Sequence, residues 1–446
     1  MRINLPNPED FAKIFEQTLG SQLNAGVIGI ATDSREVQLG DLYIAIAGES
    51  VDGHAFIRSA FENGAKCALV KKIDSNIHSP QIVINDPVKA IGDISRMWRK
   101  QFEIPVIGIT GSNGKTSTKE LLKHILSDRF IVHSTEGNFN TSIGLPLTIL
   151  QLTKKHSVSI LEMGANQPED IKVLCKIALP NYGVITNIAP AHLEGFGTIE
   201  SVAKTKGALF QSLKNGISFV NAADQHIIEL EIPGKLVSFG LTPGCNYPAD
   251  IYHEEDGTIT LTIGAEEIPT NSTNLSFAKN VIACTAIART LDLEWKDIKN
   301  KITTFQPPEG RCDVKNNGKI TIIDDTYNAN LESTVAAIDY LKAFSGDGDR
   351  IFVFGDMFEL GASSAEQHRY VGEKCDEAKL DIVYTLGSET IATDLAMNTT
   401  RIHEHFNNKN DLLGSLRSIV SDGDKILVKG SRGMEMEIIV EAMLQA

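Results

Sequence analysis

Two periodicities alternate along most of this chain. Apolar runs of strand length recur at PVIGIT (105–110), VSILEMG (158–164), YGVITNI (182–188) and GISFVN (216–221). Between them lie stretches with helical spacing, which begin at Lys115, Pro168 and Ile199. Strands that are apolar throughout, each followed by a helix, predict a parallel sheet covered on both faces. A second series of the same kind starts near Gly310: ITIIDDT, a helix from Glu332, RIFVFGD, a helix from Ala365, IVYTLG and KILVKG. The first 85 residues are different, with short strands and turns such as GDLYIAIAG and a helix over His54–Asn63. Val88–Phe102 reads as a helix leading into the first buried strand, Val106–Thr110. Ile251–Ile268 reads as antiparallel strands around an Asp256–Gly257 turn. The fold class is therefore α/β in three domains. These are a smaller N-terminal α/β domain (1–85), a central phosphate-loop domain built on a parallel sheet (86–309), and a Rossmann-like C-terminal domain (310–446).

Composition narrows the classes. Apolar residues make up 42% and charged residues 22%, the balance of a globular protein that is not membrane-inserted. No apolar run reaches spanning length, and the N-terminal segment MRINLPNPEDFAKIFEQ has no apolar core of a secretion signal. A net charge of −15 argues against a nucleic-acid partner, while leaving room for a local basic pocket. The 6 cysteines form no C-x-x-C pair, which suits a reducing cytoplasm and signals neither disulfides nor zinc.

The chemistry centres on GSNGKTS. Gly111, Ser112, Asn113, Gly114, Lys115, Thr116 and Ser117 fall between a strand and a helix. There, backbone N–H groups can approach phosphate oxygens and the helix N-terminus adds a favourable dipole. Lys115 supplies a cation for the outer phosphates of ATP, and Thr116 a hydroxyl for Mg²⁺. The position six before Lys115 is Ile109 and not Gly, so this is a G-x-x-G-K-T variant. The loop by itself fits a kinase, an ATPase motor, a GTPase switch or a ligase.

Other candidates sit at strand ends. Glu162 and His192 close or follow strands whose C-terminal ends share an edge with the phosphate loop, where they can bind metal; each also reads as an ordinary loop or ion-pair residue. Lys204 and Lys206, on a helix, read by default as solvated lysines. Arg311, at the junction near Gly310, is placed to cap a γ-phosphate on domain closure. In IIDDTYNAN, carboxylates Asp324 and Asp325 suit ribose hydroxyls and Tyr327 a base, against the plain alternative of a polar turn with Asn328 and Asn330. His403 and His405 share one face of a surface strand.

Taken together these segments resemble the Mur ligase family of peptidoglycan synthesis. The resemblance rests on GSNGKTSTKE, the segment from ATDSREV to FENGA, TEGNFNTSIGLPLTIL, LEMGANQPEDI, NIAPAHLEGFGTIESVAKTKGALF, GRCD, IDDTYNANLEST, VFGDMFELG and LVKGSRGMEME, and it covers nearly the whole chain. IDDTYNAN, GDMFELG and GNFN…GLPLT look like the branch that adds D-alanyl-D-alanine to UDP-N-acetylmuramoyl-tripeptide. The resemblance implies ATP and Mg²⁺ as cofactors, an acyl-phosphate route and a monomer. It implies that Lys206 is carbamylated and joins Thr116, Glu162 and His192 around Mg²⁺. It also assigns Asn280 to adenine, Arg311 to the γ-phosphate, Asp325 to ribose, Ser34 and Arg35 to the UDP-substrate, and Asn138 and Asn140 to the loop facing that substrate. Two positions depart from the family pattern: Ser276 stands where a His is usual, and Ala208 where a Glu is usual after Lys206–Gly207.

Overall fold

All five residues of the strand Val106–Thr110 are buried, as a strand covered on both faces requires. The computed structural model describes residues 1–23, 26–48, 51–344 and 346–445, and it contains three sheets. Positions 49 and 50 of the N-terminal segment therefore lie outside the described residues. In the first sheet, five strands lie in chain order from Arg2–Asn4 to Gln81–Val83, and only the first is antiparallel to its neighbour. The expected helix over 54–63 is split into a 3₁₀ turn at Gly53–Phe56 and an α-helix at Ile57–Glu62.

The central sheet has nine strands. Val106–Thr110 lies between Val158–Glu162 and Tyr182–Ile185, parallel to both. The chain leaves the first of these strands towards one edge and leaves Tyr182–Ile185 towards the other. That reversal opens a crevice at the strand C-terminal ends, where doubly wound sheets bind ligands. The antiparallel strands expected near 251–268 are present, but they are not a separate piece. Tyr247–His253 pairs in parallel with Lys235–Gly240, a strand the hydrophobic pattern did not single out, and so extends the same sheet.

Two glycines decide how the helix Ile199–Ser212 lies on this sheet. A Cβ at Gly108 would stand 2.9 Å from Leu209 Cδ1, and one at Gly183 would stand 2.7 Å from Leu213 Cδ1. With no side chain at either glycine, the helix packs directly on the backbone there. Its Lys206 is thereby carried under the end of the first strand.

The third sheet has six strands, with Thr321–Asp325, Lys425–Lys429, Arg350–Gly355, Ile382–Leu386 and Ile402–Phe406 parallel. His403 and His405 lie on the edge strand. His403 binds Asp394 and His405 binds Thr385.

The two junctions between sheets differ in kind. The helix Pro87–Arg99 belongs to a single apolar cluster that runs from Phe11 and Phe15 through Ile91, Ile94 and Trp98 to Leu145 and Phe210, so the first two sheets share a core. Trp98 Nε1–H donates to Leu152 O at 3.2 Å, and buried Arg99 Nε–H donates to Ala178 O at 3.0 Å. The helix ends at Arg99 with Lys100 as its C-cap, short of the expected Phe102. The third sheet has its own clusters on its two faces. It reaches the central unit through polar groups: Asn330 and Glu332 on Asn113, Glu332 on Asn187, and Glu359 on His192.

Replacing Trp98 by Ala is expected to cost about 3–5 kcal/mol, by loss of buried ring contacts and an orphaned carbonyl. Urea unfolding measures it, and a loss below about 1 kcal/mol would contradict the shared core.

Candidate functional site

The phosphate loop leaves the buried strand at Thr110 and turns at Gly111, whose φ is +149°. It is pinned to the next strand end. Ser112 N–H donates to Asn187 O at 2.9 Å, Asn113 N–H to Asn187 Oδ1 at 2.8 Å, and Thr186 Oγ1–H to Asn113 O at 2.5 Å. Gly114 precedes the helix Lys115–Leu126 and lies against Asn280, whose Oδ1 would be 3.1 Å from a Cβ there. Asn280 comes from the helix Leu275–Thr290. Ser276, one turn earlier, is exposed, and its backbone N–H is held by Asn274.

Lys115 is folded back on its own loop. Its Nζ donates to Gly111 O at 2.7 Å and to Ser112 O at 3.1 Å. Burial pulls this ammonium down to about 8; nearby Glu162 opposes the shift and Arg311 adds to it. Lys206 donates to the same Gly111 oxygen at 3.1 Å. Here the expectation of a solvated lysine fails: Lys206 is only 2% exposed, whereas Lys204 is exposed. Burial, and then the Lys115 charge, hold Lys206 well below the ordinary lysine range. The glycine-mediated seating of its helix is the physical cause.

Glu162 ends its strand as a buried carboxylate. Asn140 Nδ2–H donates to Oε1 at 2.8 Å, while Oε2 has no hydrogen-bond partner and lies 3.9 Å from Lys119 Nζ. A buried carboxylate oxygen left without a donor is costly unless a cation completes it. Asn140 thus holds Glu162, and Asn138, beside it, is exposed on the cleft wall. His192, half-buried with φ +53°, binds Glu359 through Nδ1. Burial lowers its pKa; Glu359 opposes the shift, and Lys115 and Lys206 reinforce it. With Nδ1 on a carboxylate, Nε2 carries the ring lone pair. Among the described residues no group of three His, Cys, Asp or Glu side chains makes a ready metal centre. This donor set of one carboxylate oxygen, one imidazole nitrogen and the Thr116 hydroxyl fits a Mg²⁺ whose remaining ligands come from phosphates and water.

From the third sheet, Arg311 lays its guanidinium 3.9 Å from the Tyr327 ring centroid, with Arg432 5.9 Å from the same ring. Tyr327 is therefore an arginine platform, which differs from the base-stacking expected. Asp325 is already engaged: Cys312 N–H donates to Oδ1 at 3.1 Å and Lys429 Nζ to Oδ2 at 2.5 Å. Asp324 is buried and tied to Lys315 at 2.7 Å, and Asn330 caps the helix Leu331–Ala343. Burial raises the Glu332 carboxyl, opposed by the Asn113 bond.

A cleft of about 1570 Å³ gathers most of these groups: Ser112 to Ser117, Asn138, Asn140, Glu162, His192, Asn280, Arg311 and Asp325 all line it. Lys206 and Gly111 lie behind its wall. Ser34 and Arg35 lie outside it, on the first sheet's unit. There Asp33 caps a 3₁₀ turn, and the Arg35 fork beside it holds the Asp33 carboxyl down at about 2. Sequence reasoning missed Asn187, Glu332, Glu359 and Lys429. Only Lys429 carried a signal, a cation ending an otherwise apolar strand; it is the cross-strand partner of Asp325. The other three matter through long-range pairing that no local pattern encodes.

Residues 27–98 match the Mur ligase family catalytic domain, 109–288 the Mur ligase middle domain, and 310–432 the Mur ligase glutamate ligase domain. The chain is 35% identical to the UDP-N-acetylmuramoyl-tripeptide–D-alanyl-D-alanine ligase of Haemophilus influenzae, over 97% of each chain. It is similar to the MurF crystal structure from Acinetobacter baumannii, with TM-score 0.88 and 28% identity over 98% of both chains. It is also similar to the Thermotoga maritima MurF ligase in complex with ADP, with TM-score 0.82 and 30% identity, covering 93% of this chain and 97% of that one.

A Cβ at Gly111 would stand 1.9 Å from Thr186 Oγ1. Gly111→Ala is therefore expected to distort the loop and weaken ATP binding by about tenfold or more in titration calorimetry. An unchanged affinity would show that the loop's shape is not what binds the nucleotide.

Proposed function

The chain belongs to the Mur ligase family, and on that premise we propose that it joins D-alanyl-D-alanine to UDP-N-acetylmuramoyl-tripeptide. It is an ATP-dependent, ADP-forming amide ligase of peptidoglycan precursor synthesis, and its full-length relatives are named UDP-N-acetylmuramoyl-tripeptide–D-alanyl-D-alanine ligases. One observation carries the chemistry: a single cleft holds the phosphate-loop cation Lys115, the unpartnered Glu162 oxygen and the Arg311 guanidinium. We divide the chain into a UDP-substrate unit (1–85) with Ser34 and Arg35, an ATP unit (86–309), and a closing unit (310–446).

A carboxylate and an amine in water form a salt and not an amide, so the carboxylate must be activated. In the proposed course the ATP γ-phosphoryl group passes to the terminal carboxylate of the tripeptide and ADP departs. The amine of D-alanyl-D-alanine then adds to the acyl-phosphate carbonyl, loses a proton, and inorganic phosphate leaves as the amide forms. Catalysis of the first step is mostly positioning and charge neutralisation. Lys115 exchanges the carbonyls of Gly111 and Ser112 for phosphate oxygens. Arg311, held flat on Tyr327, presents its fork to the γ-phosphoryl group. Asn280, beside Gly114, takes the adenine side, and Asp325, oriented by Lys429 and the Cys312 N–H, takes the ribose. Asn138 faces the peptide substrate. Mg²⁺, held by Thr116, Glu162, His192 Nε2 and a carbamylated Lys206, would supply the positive charge that offsets the phosphate oxygens. Closure of the third sheet's unit excludes the water that would hydrolyse the acyl phosphate.

The carbamate on Lys206 follows from its surroundings. Only a neutral amine adds CO₂, and burial beside Lys115 favours the neutral amine. The product is an anion beside the Lys115 side chain, and it offers oxygen to Mg²⁺. We place the enzyme in the cytoplasm as a monomer. Cys175, Cys245, Cys284, Cys312 and Cys375 are free thiols, which suits a reducing compartment. No helix among the described residues is long and apolar enough to cross a membrane.

Phosphate release should require both UDP-N-acetylmuramoyl-tripeptide and D-alanyl-D-alanine. Release driven instead by diaminopimelate, lysine or glutamate would reassign the acceptor, and acceptor-independent hydrolysis would remove ligase chemistry altogether. Lys206→Ala should nearly abolish turnover, with partial rescue by formate or acetate; full activity in that variant refutes the carbamate.

A further inference from the structure

The His192 ring does not meet its partner within its own unit. Nδ1 is bonded to Glu359 Oε2, which comes from the loop after the strand Arg350–Gly355 of the third sheet. Two residues beyond His192, the Glu194 N–H donates to Glu359 O at 3.5 Å, so the backbone of this turn meets the same loop. Both paired residues are non-glycines with left-handed backbone, φ +53° for His192 and +63° for Glu359. That conformation persists only where surrounding contacts over-determine it.

On the Glu359 side those contacts are evident. Asp356 accepts the backbone N–H groups of Ser388, Glu389 and Thr390. Met357 N–H donates to His368 Nε2 at 3.0 Å, and Phe358 N–H to Ser431 Oγ at 2.8 Å. Met357 and Leu360 are buried on either side of the exposed pair Phe358 and Glu359. The loop is thus anchored from behind and projects one carboxylate across the junction.

The Glu359 side chain is 51% exposed and that of His192 27%. An ion pair this open contributes little to stability. Orientation is what it supplies: a carboxylate on Nδ1 keeps the proton there and turns the Nε2 lone pair outward, as carboxylate–histidine–metal triads do. We infer that Glu359 is a positioning residue that sets His192 in its metal-ligating tautomer, and that it does so only while the third sheet's unit is seated on the central one. Metal capture and closure are then one event. The inference rests on the reading of His192 as a Mg²⁺ ligand.

The test uses the full chain with the non-hydrolysable β,γ-imido analogue of ATP and Mn²⁺ as the probe, read by electron paramagnetic resonance. Glu359→Ala should raise the half-saturating Mn²⁺ concentration by about tenfold or more, with an unchanged melting temperature. Glu359→Gln keeps an acceptor for Nδ1–H and should lose less. In ¹⁵N spectra of the histidine ring without metal, the wild type should show one tautomer, protonated at Nδ1, and Glu359→Ala a mixture. If His192→Ala weakens Mn²⁺ binding while Glu359→Ala alters neither binding nor tautomer, the positioning role is overturned and the ligand reading stands. If His192→Ala leaves Mn²⁺ binding intact, the ligand reading falls, and this inference with it.

Discussion

The carbonyl oxygen of Gly111 accepts hydrogen bonds from the side-chain nitrogens of two lysines, Lys115 and Lys206. Much of the central unit exists to bring this about. One lysine arrives from the helix that follows the loop, the other from a helix seated on strands bared by Gly108 and Gly183. Two lysine nitrogens on one carbonyl dipole, with burial drawing both below the ordinary lysine range, form a site short of negative charge. Glu162 keeps one oxygen without a hydrogen bond, 3.9 Å from Lys119 Nζ. The arrangement therefore calls for added negative charge, which the phosphates of a nucleotide supply.

The elements of the fold were largely legible because their periodicities are strong. Fully apolar runs could only be covered strands, and the phosphate loop could only sit where strand, glycine and helix meet. Where the reading failed, the deciding information was tertiary. Lys206 looks like any surface lysine along its helix, and its burial depends on glycines about 100 residues earlier and about 20 earlier in the chain. Asn140 reads as a substrate-loop residue, and only the structure shows that its amide also holds Glu162. Tyr327 reads as a base platform until two arginines are found on its ring. The strand Lys235–Gly240 is half-exposed along its length, so it lacked the apolar run that marked its neighbours.

The contacts that reach the loop from the third sheet share a chemistry. Asn113 and Asn187 meet Asn330 and Glu332, and His192 meets Glu359. All are hydrogen-bonding groups that water can replace at small net cost. A seam of this kind can open and re-form as substrates and products pass. An apolar seam of the same extent would have to expose its core each time.

The helix Pro87–Arg99 has a thermodynamic corollary. Because its apolar face is part of one cluster with both neighbouring sheets, neither can melt while the other keeps its packing. The first two sheets then form one calorimetric unit and the third, with its own two clusters, a second. Nucleotide held between the two units contributes its binding energy to both. Saturating ligand should therefore draw two heat-absorption peaks towards a single one, so that the cooperativity of unfolding itself reports how tightly the seam is shut.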